Sequence, residues 1–122
     1  MASAQARWAG SASFGATGNA IQGNFIGTNA AGDAARPNAV GVSVESLNNT
    51  IGGTAAGARN VISGNSGAGV QLTGTGTTGN TVLGNYIGTN SAGTAALSNA
   101  TGIELVVNAA NNTIGGTTST AR

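Results

Sequence analysis

Cysteine, lysine and histidine are absent from this chain, and proline occurs once. Without cysteine there is no disulfide framework and no thiolate metal site, although the absence leaves the compartment open. Charge is scarce as well: four Arg and three acids amount to 6% of residues, with a net charge of +1. Ordinary globular domains carry about 25% charged residues. A nucleic-acid partner requires a basic stripe that displaces counterions, so no nucleic-acid binding is expected. No run of about 18 apolar residues occurs, so no membrane insertion is expected either. The first seven residues, Met-Ala-Ser-Ala-Gln-Ala-Arg, carry Ala-x-Ala spacings like a signal-peptidase site. No apolar stretch precedes them, and the expectation there is a short disordered start.

The chain is rich in Gly, with 22, and in Asn, Thr and Ala. The glycines have no period of three, which excludes collagen. Regularly placed Ile, Val and Leu argue against disorder. The stretch Thr-Gly-Asn-Ala-Ile-Gln-Gly-Asn-Phe-Ile-Gly-Thr-Asn at 17–29 returns as Thr-Gly-Asn-Thr-Val-Leu-Gly-Asn-Tyr-Ile-Gly-Thr-Asn at 78–90, an offset of 61 in a chain of 122 residues. A fixed period points to a repeat architecture in which each unit buries its apolar face against its neighbours.

The unit divides again. Asn19-Ala-Ile, Asn49-Thr-Ile, Asn80-Thr-Val and Asn112-Thr-Ile follow one another at spacings of 30, 31 and 32. These mark coils of a solenoid at 19–48, 49–79, 80–111 and, in part, 112–122. Each coil is expected to hold three short strands: 19–22, 24–28 and 40–45, then 49–52, 60–63 and 69–73, then 80–83, 85–89 and 101–106. Apolar residues alternate in the third strand of each coil, at Val42 and Val44, Val70 and Leu72, and Ile103 and Leu105. That is a strand signal. No helical periodicity of any length appears. Ser43, Gln71 and Glu104 lie between these residues and should point outward.

Stacked in register, the coils place like on like. Ile21, Ile51, Val82 and Ile114 form one inward ladder, Ile26, Ile62 and Ile87 a second, and Val42, Val70 and Ile103 a third. Asn19, Asn49, Asn80 and Asn112 form one Asn column and Asn24, Asn60 and Asn85 another. Asn tolerates left-handed corners, and stacked Asn side chains can bond along an axis. The long connections alternate, at 29–38 and 90–99 in odd coils and 53–59 in the even one, so the fuller repeat is the longer one.

The motifs Asn-Thr-Ile-Gly-Gly-Thr, Asn-Val-Ile-Ser-Gly-Asn and Gly-Asn-Tyr-Ile-Gly-Thr-Asn resemble the right-handed parallel β-helix repeats of large bacterial secreted and surface proteins, within the pectate-lyase-like superfamily. The resemblance covers about residues 17–122. It implies an all-β chain, a right-handed parallel β-helix (β-solenoid) of about four coils of about 30 residues. The handedness also follows the crossover rule. The fold hosts lyases, adhesins, tailspikes and plain stalks, so it fixes no activity.

The two ends suggest a joint. Residues 112–122 match 49–59 and then stop, while residues 1–18 lead into the first coil; together they make close to one coil. Ala12 and Phe14 fit the inward places of Val70 and Leu72, and Trp8 fits that of Ile62. Open solenoid ends expose strand edges that drive association unless capped, and no amphipathic capping helix is visible. The expectation is a structural subunit of an extracellular or cell-surface fibre, with itself as partner, joined head to tail. Trp8, Phe14, Asn19, Asn112, Ile114 and Arg122 would lie at the subunit junction. A fragment of a larger secreted or cell-surface protein, an adhesin or stalk, is the alternative.

Enzymatic readings find little material. Polysaccharide lyases on this fold need acids for calcium and a base, and the hydrolases need paired carboxylates. Only Asp33, Glu45 and Glu104 are present, and they read as solvated residues; no enzyme activity, cofactor or metal site is expected. Gly-Thr-Gly-Thr-Thr-Gly at 74–79 lacks the Lys-Ser/Thr and helix of a phosphate loop. Arg7, Arg36, Arg59 and Arg122 fall in loops or ends, and matching Arg59 and Arg122 invite loop or neighbour contacts or an anionic glycan. Thr28, Thr54, Thr89 and Thr117 are candidates for the outward rank of an ice-binding face. Adhesion to surface glycans stays open, although aromatics amount to only 3%.

Overall fold

In the computed structural model, the structure describes residues 12–14 and 16–121. Eleven short strands follow one another: β1 (Ala12–Phe14), β2 (Ala20–Ile21), β3 (Phe25–Ile26), β4 (Val42–Val44), β5 (Thr50–Gly52), β6 (Val61–Ile62), β7 (Ala68–Thr73), β8 (Thr81–Leu83), β9 (Tyr86–Ile87), β10 (Thr101–Val106) and β11 (Thr113–Ile114). A single 3₁₀ turn closes the described chain at Ser119–Ala121. Among the described residues no helix is long and apolar enough to cross a membrane.

The strands sort into three parallel sheets. One runs β1-β4-β7-β10, one β2-β5-β8-β11 and one β3-β6-β9. Each sheet takes one strand from each successive turn, which makes the chain a parallel β-solenoid with three strands per turn. Three turns are complete. The fourth expected from the repeat count is present only as β11, while β1 stands one turn ahead of β2.

Register follows side-chain chemistry. Ile21 pairs with Ile51 and Ile51 with Val82. Ile26 pairs with Ile62 and Ile62 with Ile87. Val42 pairs with Val70 and Val70 with Ile103, and Val44 and Leu72 continue a parallel lane to Leu105. Slipping any strand by one residue would turn these apolar side chains to the other face. The stacked residues form one core of Ile21, Ile26, Val42, Val44, Ile51, Ile62, Val70, Leu72 and Val82. Ser43, Gln71 and Glu104, between the inward positions, are half-buried on the other face, and Gln71 Nε2 donates to Glu104 Oε1 at 2.6 Å.

Burial changes along the axis. The inward residues of the first two turns are covered, whereas Ile87 and Ile103 in the third are only partly so. Ile114 keeps its ladder register against Val82, yet it is 46% exposed and not an interior residue of this chain. Inwardness in a solenoid comes from the turn above and the turn below, and among the described residues nothing stacks beyond β11.

Candidate assembly interface

Asparagine organises the corners. In the first column, Asn19 donates its backbone N–H and Nδ2 to Asn49 Oδ1 at 2.9 and 3.0 Å. Asn49 donates its N–H to Asn80 Oδ1 at 2.8 Å, and Asn80 donates N–H and Nδ2 to Asn112 Oδ1 at 2.9 and 3.0 Å. The second column repeats this through Asn24, Asn60 and Asn85. A backbone N–H can only donate, so its partner on the next Asn must be the carbonyl oxygen. That fixes each amide's orientation and frees its nitrogen to reach back: Asn60 Nδ2 donates to the Ile21 carbonyl at 2.8 Å and Asn85 Nδ2 to that of Ile51 at 2.9 Å. Among the described residues no buried side-chain nitrogen or oxygen lacks a partner.

A third column went unread in the sequence. Asn38 donates N–H and Nδ2 to Asn65 Oδ1, and Asn65 does the same to Asn99 Oδ1. Asn38 and Asn99 mark loop ends, and the uneven spacings of 27 and 34 hide the column. The visible signal was the occurrence of Asn38 and Asn99 at the same offset as the main repeat.

All three columns point one way, with donors running toward the C-terminal face and acceptors toward the N-terminal one. At the C-terminal face the backbone N–H groups of Asn85, Asn99 and Asn112 find no acceptor among the described residues. Beside them the apolar ladders stop unfinished. Leu105 is 44% exposed, and Val82, Ile87, Ile103 and Ile114 line a groove of about 90 Å³. At the N-terminal face, Asn19 Oδ1 accepts nothing among the described residues, whereas Asn24 and Asn38 are not free.

Of the expected junction residues, Asn19 thus lies on one end face and Asn112 and Ile114 on the other. Phe14 is placed by backbone register alone, opposite Val44, as Ala12 is opposite Val42. Trp8 and Arg122 lie outside the described residues, as does Arg7.

The long loops stack on each other across two turns. Ser91 N–H donates to the Gly32 carbonyl at 2.8 Å, and Ser91 Oγ to that of Ala31 at 2.9 Å. Asn29 and Asn90 brace their loops alike: Asn29 Oδ1 accepts from Asp33 N–H at 3.0 Å and Asn90 Oδ1 from Thr94 N–H at 2.9 Å. A Cβ on Gly93 would collide with the Tyr86 ring, and one on Gly32 with the Ser91 side chain, close beside the Phe25 ring.

The remaining polar residues are dispersed. Asp33 accepts from Asn29 Nδ2 in its exposed loop, Glu45 is exposed beyond β4, and Glu104 is held by Gln71. Arg36 donates to the Ala35 carbonyl. Arg59 donates Nε to the Gly84 carbonyl at 3.0 Å and lies 4.0 Å over the Tyr86 ring. Among the described residues no group of three or more His, Cys, Asp or Glu is placed to hold a metal. The threonine rank does not form: Thr28 is fully buried, Thr28 and Thr89 turn their hydroxyls to the carbonyls of Asn29 and Asn90, and Thr54 and Thr117 follow a different sheet, after β5 and β11.

Fold and end faces together define a parallel β-solenoid whose C-terminal face, among the described residues, ends in uncovered ladders. No protein-family model, no curated protein and no solved structure matches the chain.

Proposed function

We propose that this protein is a structural subunit of an extracellular or cell-surface fibre, built by stacking solenoid ends head to tail. The C-terminal face carries this reading. It combines the ends of three apolar ladders with three co-directed backbone N–H groups that have no partner among the described residues. Within the chain such an N–H is met by the Asn oxygen of the next turn, as Asn80 N–H is by Asn112 Oδ1, and Asn112 presents the next N–H of that column. A head-to-tail contact is heterologous and propagates as a filament unless its rotation closes a ring. No chemistry is required of the side chains, in keeping with their scarcity of charge. The resemblance to bacterial β-helix repeats of the pectate-lyase-like superfamily supports a secreted or surface setting.

A second reading is that these turns belong to the stalk or adhesin portion of a longer surface protein. The internal repeat favours it, because an array of such units would cover the same face with its own next turn.

Electron microscopy of the purified chain separates the two. Filaments are expected from the unmodified chain. The Leu105→Lys/Ile114→Lys variant should keep its β circular dichroism, since both sites are half-exposed, but remain a monomer in light scattering. An unmodified chain that stays monodisperse at high concentration would remove the fibre reading and leave the stalk.

A further inference from the structure

The two end faces are steps of one strand height. The sheet β1-β4-β7-β10 and the sheet β2-β5-β8-β11 each hold four strands, but the first begins a turn early and the second finishes a turn late. At the N-terminal face β1 therefore projects beyond β2, and at the C-terminal face β11 projects beyond β10. A projection in one sheet at one end matches a recess in the same sheet at the other.

Resting on the fibre reading, we propose that copies join through one composite turn: β1 of the next copy enters beside β10 while β2 of the next copy pairs with β11. Extending the registers within the chain gives the partners. Ala12 stands opposite Val42, Val42 opposite Val70 and Val70 opposite Ile103, so Ile103, Glu104 and Leu105 meet Ala12, Ser13 and Phe14 of the next copy. Ala20 stands opposite Thr50, Thr50 opposite Thr81 and Thr81 opposite Thr113, so Thr113 and Ile114 meet Ala20 and Ile21 of the next copy.

The Asn columns select this register independently. The first column has four members, one for each strand of the two four-stranded sheets, and it is open at both ends. Among the described residues Asn112 N–H has no acceptor and Asn19 Oδ1 no donor. The composite turn sets the two one strand step apart and closes that column without a gap. The second and third columns have three members each, and residues 1–18 contain no Asn to extend them. Their upper members, Asn24 and Asn38, are already engaged. A join displaced by one turn would leave Asn112 without its acceptor.

Cysteine pairs test the register, because the chain has no cysteine of its own. Within one copy β1 and β10 lie three strand steps apart, about 14 Å, too far for a disulfide. Mild oxidation of Ser13→Cys/Glu104→Cys filaments should therefore give a ladder of covalent multimers on a non-reducing gel. Ala20→Cys/Thr113→Cys should do the same through the second sheet, which covers the case in which one pair disturbs folding. Ser43→Cys/Glu104→Cys should give no ladder. A ladder from that third pair would place β4 beside β10 and overturn the composite turn. Filaments seen by microscopy with no ladder from the first two pairs would overturn the register and leave the fibre standing. Absence of both filaments and ladders would overturn both.

Discussion

At the residue scale, asparagine does what a backbone usually does for itself. Asn60 is fully buried, and its amide accepts from Asn24 and donates to the Ile21 carbonyl and to Asn85. Replacing it with leucine preserves bulk but strands the buried Asn24 N–H and withdraws the amide donor from the Ile21 carbonyl, while Asn85 Oδ1 keeps its bond from the backbone N–H of residue 60. Each stranded group costs about 1–3 kcal/mol. Asn60→Leu should therefore destabilise by several times the effect of a change at exposed Asn108, as a fall in the urea midpoint. The opposite direction is available at Val107. Its φ is 52°, a left-handed conformation that β-branched residues avoid. One turn earlier the place after Thr73, the partner of Val106, is filled by Gly74 at φ 105°. Val107 is 65% exposed, so little packing is lost on trimming it. Val107→Gly should raise stability by about 1 kcal/mol, the strain removed, visible as a higher melting temperature. A fall would mean that Val107 is covered in the assembled state used for the measurement.

At the element scale, protection should follow the number of neighbouring turns. Strands β5, β6 and β7 have a turn on either side, and their inward residues are buried. Strand β11 has a neighbour on one side, and its residues are exposed. Amides open with free energies that track local burial. Hydrogen exchange of the unassembled chain should be slowest in β5–β7 and fastest in β11, and the contrast should fade at β11 when copies stack. Uniform exchange in the free chain would mean that the turns open as one unit. The sequence carried the elements unevenly. Strand β10 was legible to the residue because Ile103 and Leu105 alternate and match Val70 and Leu72. Strands β3 and β9 came out shorter than the expected 24–28 and 85–89, because Asn24 and Asn85 turn the corner, with their amides bonded along the axis instead of in the sheet. The inward ladders were readable as like residues at a repeated offset. The exposure of Ile114 was not, because it depends on what lies beyond the last turn and not on the residue itself.

At the scale of the whole molecule, the forces available for stacking are apolar burial and hydrogen bonding, and charge is nearly excluded. The described charged residues stand on loops or on the outer faces of strands: Asp33 and Arg36 in a long loop, Glu45 beyond β4, Arg59 in the loop before β6 against the Gly84 carbonyl and Tyr86, and Glu104 against Gln71. The groove left between the unfinished ladders is lined by Val82, Ile87, Ile103, Ile114 and their neighbours, with no charged side chain. Exposed charge interactions are screened within about 10 Å at moderate ionic strength, whereas apolar burial is not weakened by salt. An isolated stack of three turns also leaves one end uncovered and must order many glycines, which lose the most conformational freedom on folding. Each join would cover an end and offset part of that entropy. The concentration of free chain in equilibrium with filaments, read by sedimentation, should therefore stay constant or fall as sodium chloride is raised. The filaments should advance about 19 Å per copy, four strand steps of about 4.8 Å. If the free concentration instead rises steeply with salt, ion pairs hold the copies together. The contact then lies on the charged loops, and the end faces are not the interface.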